Sequence, residues 1–125
     1  MLARFAAWSL SALLMAGAAY AASAPSAERG QESFQDQCTM CHSAGKVKGG
    51  DQGPSLTGVV GRHAGSLPGF AYSNALKNSG KIWTPKNLDT FLADPPGLVP
   101  GTKMPANVGD AGDRADIIAF LATAK

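Results

Sequence analysis

In the part of the chain that follows residue 25, apolar residues recur with the period of an α-helix in two segments, one at its start and one at its end. Near the C-terminus the pattern predicts a helix from Asp110 to Lys125, with apolar positions at Ile117, Phe120, Leu121 and Ala124. A first helix is predicted to run from Ser26 toward Cys38, because a serine is a favourable N-cap and Phe34 lies on the apolar side. These two helices are the main regular elements that the pattern predicts.

Between these helices the periodic segments are short. Residues 43–68 are rich in glycine and lack sustained periodicity, so we expect an ordered loop. A short helix is predicted over residues 73–78, and a longer one begins at Thr84-Pro85, with a threonine N-cap and a proline at the first helical position. The sequence Asp94-Pro95-Pro96-Gly97 ends that helix, and a loop to Gly109 is expected. No alternating strand pattern is present, so the predicted fold class is all-α with long loops.

The first 21 residues have the features of an export signal. Arg4 gives a positive start, residues 5–18 are almost wholly apolar, and Ala19-Tyr20-Ala21 has the small-x-small pattern that a signal peptidase cleaves. We therefore expect residues 1–21 to be removed and residues 22–125 to form one exported, periplasmic domain. The alternative is a retained membrane anchor, but the apolar run is shorter than the ~18 residues that suggest a transmembrane helix.

Composition indicates that the domain needs more than its own core. The chain has 125 residues, with 15 glycines, 8 prolines and 7% aromatic residues, and a small domain gains little surplus stability from its core alone. A buried prosthetic group would supply the missing apolar mass.

The net charge of the exported part is small. Without Arg4, which belongs to the expected leader, the 11 lysines and arginines become 10, against 9 aspartates and glutamates. The exported part is therefore nearly neutral and shows no nucleic-acid footprint.

The sequence Cys38-Thr39-Met40-Cys41-His42 has the C-x-x-C-H arrangement of c-type haem attachment. Two thiols three positions apart lie on one side of a helical turn, about 5–6 Å apart at Cβ, so both reach vinyl groups on one part of a porphyrin. His42 then points at the iron. The alternatives are a disulfide, a thioredoxin-like redox pair, which needs a βαβ pattern that is lacking, and zinc, which needs two further ligands. Only His63 remains as a usual ligand, and we interpret it as a surface loop residue.

A sixth iron ligand is sought among the methionines, because a thioether is a soft donor and histidine–methionine ligation raises the reduction potential. Met1 and Met15 belong to the expected leader, and Met40 lies inside the attachment turn. Met104 remains, in a loop with prolines at positions 100 and 105. An isolated methionine is ordinarily a core filler, but in this loop beyond a haem motif we predict that Met104 ligates the iron.

The domain resembles the class I c-type cytochromes, the branch containing mitochondrial cytochrome c and its soluble bacterial relatives. The resemblance covers nearly all of residues 22–125, and the matching positions are Gly30 and Phe34, Cys38 to His42, Gly53 to Leu56, Gly61-Arg62, Pro68 to Ser73, Trp83-Thr84, Pro100 to Met104 and Arg114 to Leu121. It implies a small single domain whose N- and C-terminal helices cross, with Gly30 and Phe34 packed against Ile117 and Phe120.

The resemblance also implies roles around one haem c attached through Cys38 and Cys41. Pro54 would offer its carbonyl oxygen to the ring N–H of His42. The propionates are anions that need hydrogen-bond donors inside a protein. For one propionate the implied donors are Arg62, Tyr72 and Trp83, and for the other Ser73 and Thr102.

Several positions depart from the family pattern. Phe91 stands where the family commonly has a tyrosine hydrogen-bonded toward the methionine sulfur, and Leu76 stands where it often has an asparagine. In the mitochondrial protein, lysines crowd the exposed haem edge. In this chain several of those positions hold other residues, namely Gln37, Asp51, Pro96 and Gly97. The lysines that remain are Lys46, Lys48, Lys77 and Lys103. We therefore expect docking to an acidic partner to be weaker, or less dependent on salt, than the resemblance alone implies.

With both axial positions filled, the resemblance implies a soluble, monomeric single-electron carrier rather than an enzyme. The expected partners are redox proteins, either a membrane oxidase or reductase of a respiratory chain or a periplasmic dehydrogenase. Neither nucleic acid binding nor stable membrane insertion after cleavage is expected. Two alternatives stay open: a cytochrome subunit of a periplasmic dehydrogenase, and a haem peroxidase or sensor, which needs an open or labile sixth position.

Overall fold

The computed structural model describes residues 23–125, and the predicted signal peptide over residues 1–21 lies outside them. The described helices are α1 (Ala27–Gln37), α2 (Asn74–Lys77), α3 (Pro85–Ala93), α4 (Pro95–Leu98) and α5 (Ala111–Thr123). The extended pairing recorded in this part of the chain consists of two isolated bridges, Ala44 with Val47 and His63 with Ile82. The all-α prediction is therefore confirmed. Among residues 23–125, no helix has the length and apolar character needed to cross a membrane.

The start of each predicted helix is fixed by a side-chain cap. The Ser26 Oγ accepts a hydrogen bond from the Arg29 backbone N–H at 3.2 Å, and the Asp110 Oδ1 accepts one from the Asp113 N–H at 2.9 Å. Ser73 caps α2 and Thr84 caps α3 in the same way. These caps satisfy backbone donors that have no partner inside the helix.

One expected loop and one predicted helix end are wrong. The expected loop after Asp94 contains α4, because the Asp94 carboxylate accepts a bond from the Gly97 N–H at 3.2 Å and prolines fit the first turn of a helix, whose N–H groups lack helical partners. The last helix ends at Thr123 rather than Lys125. Ala124 is extended there, and its carbonyl oxygen accepts a hydrogen bond from the Gly58 N–H at 2.7 Å. Tertiary pairing therefore stops α5 two residues early.

Helices α1 and α5 cross at Gly30, as predicted. A Cβ atom at position 30 would overlap the backbone carbonyl group of Asp116 and lie 2.9 Å from the Cβ of Phe120. One turn along α1, the Phe34 and Phe120 rings pack with centroids 5.4 Å apart at 53°. Phe34 is fully buried and Ile117 is 1% exposed. The absence of a side chain at position 30 thus allows the two helices to approach closely.

One hydrophobic cluster extends from this crossing to α3. Trp83 and Phe91 are both buried, with ring centroids 4.9 Å apart. Partly buried apolar side chains pack against the cluster, and they include Cys38, Leu56, Leu76 and Met104. Residues from the attachment turn and from the methionine loop therefore contact the same core.

Candidate functional site

The two cysteines lie on a single turn that continues from the end of α1. The Cys38 N–H donates to the Phe34 carbonyl oxygen at 2.9 Å, and the N–H groups of Cys41 and His42 both donate to the Cys38 carbonyl oxygen, at 3.1 and 2.9 Å. Both thiols are free and partly buried. The turn thus holds two cysteines and a histidine in the order that haem attachment needs.

The two thiols have different surroundings. Burial raises the pKa of the Cys38 thiol to about 11, so in the chain without its prosthetic group this thiol is protonated at neutral pH. The Cys41 thiol lies 3.7 Å from the Gln52 side-chain oxygen, to which it donates. The structure shows no disulfide between the two cysteines. In the described part of the chain, no three His, Cys, Asp or Glu side chains gather into a metal-binding cluster, which leaves the zinc alternative without a ligand set there.

The His42 ring is oriented by one hydrogen bond. Its Nδ1 lies 2.7 Å from the Pro54 carbonyl oxygen. A carbonyl oxygen only accepts, so Nδ1 carries the proton and donates, which leaves the lone pair on Nε2. A neutral imidazole with a free Nε2 is a metal ligand, and the carbonyl partner also raises its basicity. His42 is therefore in the tautomer that ligation of an iron requires.

Gly53 leaves the space that the His42 ring occupies. A Cβ atom at position 53 would overlap the ring, at 2.6 Å from Nδ1 and 2.7 Å from Nε2. From the sequence, Gly53 was expected only to lie in the ordered loop over residues 43–68, and this contact was not predicted. The only sequence signal was a glycine before the proline beyond the attachment turn. The requirement is for space, since this glycine does not have a positive φ.

The loop after the histidine returns along the attachment turn and binds it through its backbone. The Gly50 N–H donates to the Thr39 carbonyl oxygen at 2.8 Å, and the Gly53 N–H donates to that of Cys41 at 2.9 Å. Further along, Leu56 donates through its N–H to the Ser43 carbonyl oxygen at 2.8 Å. These bonds satisfy carbonyl groups of the turn and keep the two cysteines and the histidine in one rigid unit.

Met104 lies in the loop between α4 and α5. It is partly buried and packs against the hydrophobic cluster. Its backbone N–H donates to the Thr102 Oγ1 at 3.4 Å, and Gly101, with φ +89°, provides the turn that precedes it. Met40, the other methionine of the described residues, is 83% exposed. Of these two methionines, Met104 is thus the one that the fold brings to the core.

Comparisons with known proteins identify the family of this chain. The sequence model of the family described as Cytochrome c matches residues 27–125. A cytochrome c2 from Rhodomicrobium vannielii is 47% identical over 113 residues, which are 90% of this chain and 88% of that protein. The chain belongs to the cytochrome c family. A cytochrome c from Euglena viridis is 46% identical over 100 residues, 79% of this cytochrome and 97% of the relative.

The fold of this cytochrome is also found among solved structures. Cytochrome cH from Methylobacterium extorquens superposes with a TM-score of 0.71 at 43% identity, over 78% of this chain and 98% of that chain. The two cysteines of the C-x-x-C-H sequence account for one covalently bound haem c. The free Nε2 of His42, the two thiols on one turn and the apolar side chains around Leu56 fit that group. As a member of the family, the protein is a class I c-type cytochrome that carries electrons and is not an enzyme.

Among the residues proposed to serve the propionates, Arg62 and Tyr72 bond to backbone groups. The Arg62 guanidinium donates to the Thr57 carbonyl oxygen at 3.0 Å and to that of Ser55 at 3.2 Å. The Tyr72 hydroxyl oxygen accepts from the Leu67 N–H at 3.2 Å. Arg62 has five N–H donors, so donors remain beyond these two bonds.

The other positions with an expected role near the haem are buried or partly buried. Ser73 is buried and its Oγ accepts from the Leu76 N–H at 3.1 Å. Trp83 and Phe91 are buried side by side, and Thr102 lies beside Met104.

The lysines that remain of the expected haem-edge set are all exposed, and they are Lys46, Lys48, Lys77 and Lys103. His63 is also exposed.

Sequence reasoning missed an ion pair that ties α1 to α5 of the cytochrome. The Arg29 guanidinium donates to both carboxylate oxygens of Asp116, at 2.8 and 3.0 Å, and to the Ala24 carbonyl oxygen at 2.8 Å. The Ser26 backbone N–H donates to the same carboxylate at 2.8 Å. The Arg29 bonds, followed by the Ser26 bond, hold the pKa of Asp116 below its ordinary value. No sequence signal marked a pair 87 residues apart.

Proposed function

We propose that this chain is an exported, soluble carrier of single electrons, with His42 and Met104 as the two axial ligands of its haem iron. The observation that carries the proposal is the distance of 2.7 Å between His42 Nδ1 and the Pro54 carbonyl oxygen, because a proton donated from Nδ1 leaves Nε2 of a neutral ring free to bind iron. The haem supplies the redox couple. The protein residues hold it, exclude water and keep both axial positions occupied, so that one electron passes with little rearrangement.

The assignment of Met104 is supported by burial and by elimination. Met40 is 83% exposed and belongs to the attachment turn itself. Met104 packs against the core, as a ligand facing a buried ring must. A thioether is a soft donor that favours the reduced iron, which suits an electron carrier. Donors to the haem propionates are proposed to be Arg62, Tyr72, Trp83, Ser73 and Thr102, with Phe91 as an apolar neighbour of the haem.

Export is proposed from the leader pattern. Removal of residues 1–21 would leave residues 22–125 as the cytochrome c domain in the periplasm, as a monomer. The proposed partners are redox proteins, either a membrane oxidase or reductase of a respiratory chain or a periplasmic dehydrogenase. The Arg29 bond to the Ala24 carbonyl oxygen supports a domain that begins close to residue 22, because it includes Ala24 in the folded structure.

The axial assignment is tested with Met104→Ala in the exported holoprotein. Cys38 and Cys41 are untouched, so haem should stay covalently bound in a denaturing gel stained for haem. The weak sulfur-to-iron charge-transfer band of the oxidised protein should disappear, and the reduction potential should fall because a harder donor replaces the thioether. The opened position should also bind small ligands.

Met40→Ala is the matched control, since it removes the other described methionine from an exposed site on the attachment turn. It should leave the charge-transfer band and the potential unchanged. If the wild type lacks the band while its haem is intact, Met104 is not the ligand and the electron-carrier proposal loses its main support. Loss of the band in Met40→Ala would contradict the assignment as well.

A further inference from the structure

The loop that carries Met104 ends at a partly buried guanidinium group. Arg114, on α5, is 13% exposed, and its Nε donates to the Asp89 carboxylate of α3 at 2.8 Å. Its Nη1 donates to the carbonyl oxygens of Val108 and Gly109, both at 3.0 Å. One side chain therefore joins α3, α5 and the downstream end of the methionine loop.

The loop has few other attachments. Upstream, the Thr102 N–H donates to the Val99 carbonyl oxygen at 3.0 Å, and downstream the Val108 N–H donates to that of Leu92 at 2.8 Å. Between these two points, residues 103–107 form no backbone–backbone hydrogen bond with any part of residues 23–125. The position of the Met104 backbone thus depends on where the two ends of the loop are held.

We propose that Arg114 is a positioning residue for Met104: it fixes the downstream end of the loop and so keeps the thioether at the haem. The inference rests on the assignment of Met104 as a ligand made above. Without the guanidinium, the Val108 and Gly109 carbonyl groups lose a charged donor. That end is then held by two neutral bonds to the end of α3, from the Val108 N–H to the Leu92 carbonyl oxygen and from the Asn107 side-chain amide to the Ala93 carbonyl oxygen at 3.3 Å. Hydrogen bonds from charged donors are stronger than neutral ones, so the loop would open more often.

An arginine suits this position because the acceptors lie on different elements. The planar guanidinium presents several donors in a fixed arrangement, so Nε binds Asp89 while Nη1 serves two carbonyl groups. A lysine has a single ammonium group and cannot reproduce the whole set. Arg114→Lys should therefore retain part of the effect, whereas Arg114→Ala should lose all of it.

The test measures how often Met104 leaves the iron. Imidazole is added to the oxidised holoprotein, and its rate of replacing Met104 is followed by the loss of the sulfur-to-iron charge-transfer band. Arg114→Ala should react about 10- to 100-fold faster than the wild type, given the strength of charge-assisted hydrogen bonds. Arg114→Lys should lie between the two. If Arg114→Ala gives too little holoprotein, Asp89→Ala is used in its place. It removes the carboxylate that holds the Arg114 guanidinium, and it should accelerate the replacement of Met104 by imidazole about two- to fivefold.

Arg29→Ala is the matched control. It removes the other ion pair of the described residues, between α1 and α5, which has no contact with the methionine loop. Unfolding by denaturant is measured for each variant so that the comparison is made at known stability. If the wild type shows the charge-transfer band but imidazole replaces Met104 equally fast in Arg114→Ala and Arg29→Ala, the positioning role of Arg114 is overturned. The assignment of Met104 as a ligand would still stand in that case. A wild type without the band would instead overturn the assignment of Met104.

Discussion

The orientation of His42, the proposed iron ligand, depends on a position that carries no side chain. The His42 ring fills the space beside Gly53, and its Nδ1 reaches the Pro54 carbonyl oxygen only in that placement. A methyl group at position 53 would push the ring away from the carbonyl oxygen or shift the loop. The loop is itself bound to the attachment turn through the Gly53 N–H, so either adjustment would cost free energy of folding.

Gly53→Ala should therefore destabilise the holoprotein by about 1–3 kcal/mol, the usual cost of overpacking, and should also shift the reduction potential, because the His42 hydrogen bond changes. Denaturant unfolding and a redox titration measure the two effects. Gly109→Ala is the control, since a Cβ there meets nothing within 4 Å. If both variants unfold alike, the contact with the ring is not what requires glycine at position 53.

Local spacing predicted the residues whose chemistry depends on near neighbours. Cys38, Cys41 and His42 lie within one turn, so five consecutive letters define their arrangement. Gly53 and Asp116 act through contacts with residues distant in sequence, His42 and Arg29. Periodicity and composition carry no information about contacts between residues distant in sequence. The C-x-x-C-H residues could therefore be predicted, whereas the contacts of Gly53 and Asp116 could not.

At the scale of elements, the crossing of α1 and α5 combines close packing with an ion pair. Gly30 brings the helices together, and Arg29 and Ser26 place donors on the Asp116 carboxylate beside that contact. Because these bonds lower the pKa of Asp116 in the folded protein, the folded state favours the ionised carboxylate more than the unfolded chain does. Their contribution is complete above the ordinary pKa of an aspartate and is lost as pH falls through the lowered value.

Asp116→Asn should be less stable than the wild type at neutral pH, and the difference in free energy of unfolding should shrink as the solution is acidified from about pH 5 to about pH 2. Denaturant unfolding of both holoproteins across this range measures it. Asp36→Asn, at an exposed position of α1, is the matched control and should track the wild type. A wild-type advantage that stays constant down to the lowest pH would show that the Asp116 charge is not responsible.

The starts of α1, α2, α3 and α5 were predictable, whereas α4 and the end of α5 were not, for a physical reason. Each start is a local event in which a side chain such as Thr84 accepts a bond from a donor three residues on. The end of α5 depends on Gly58, whose N–H binds the Ala124 carbonyl oxygen, a contact made only after folding. The turn of α4 likewise rests on Pro95, which is buried in the folded chain.

At the scale of the whole molecule, a bound haem c would pack against apolar side chains that three separate segments supply. The attachment turn contributes Cys38, the following loop contributes Leu56, and the methionine loop contributes Met104, each partly buried against the same cluster. Bound haem covers such apolar surface and thereby adds stability that depends on occupancy. The proposed axial ligands, the glycine contact and the Arg114 bonds thus belong to one structure that surrounds the same core.

The charge of the whole molecule determines how the cytochrome meets its partners. Without the expected leader, 10 basic side chains face 9 acidic ones, and the exposed lysines Lys46, Lys48, Lys77 and Lys103 are the ones that remain of the expected haem-edge set. Long-range attraction between proteins is screened within about 8–10 Å at physiological salt. With so small an excess charge, we expect electrostatic steering to contribute little to the rate of encounter.

We therefore expect the second-order rate of electron transfer to a redox partner to fall by less than about tenfold between low and physiological ionic strength, below the steep dependence of strongly steered pairs. Stopped-flow measurements over a salt series test this, with ferricyanide as an anionic oxidant of defined charge. Lys103→Gln, beside the proposed ligand, should change the rate only slightly, and Lys86→Gln, on the exposed start of α3, is the matched control. A steep fall with salt that Lys103→Gln alone removes would show that the remaining lysines act as a focused patch at the haem edge despite the near-neutral net charge.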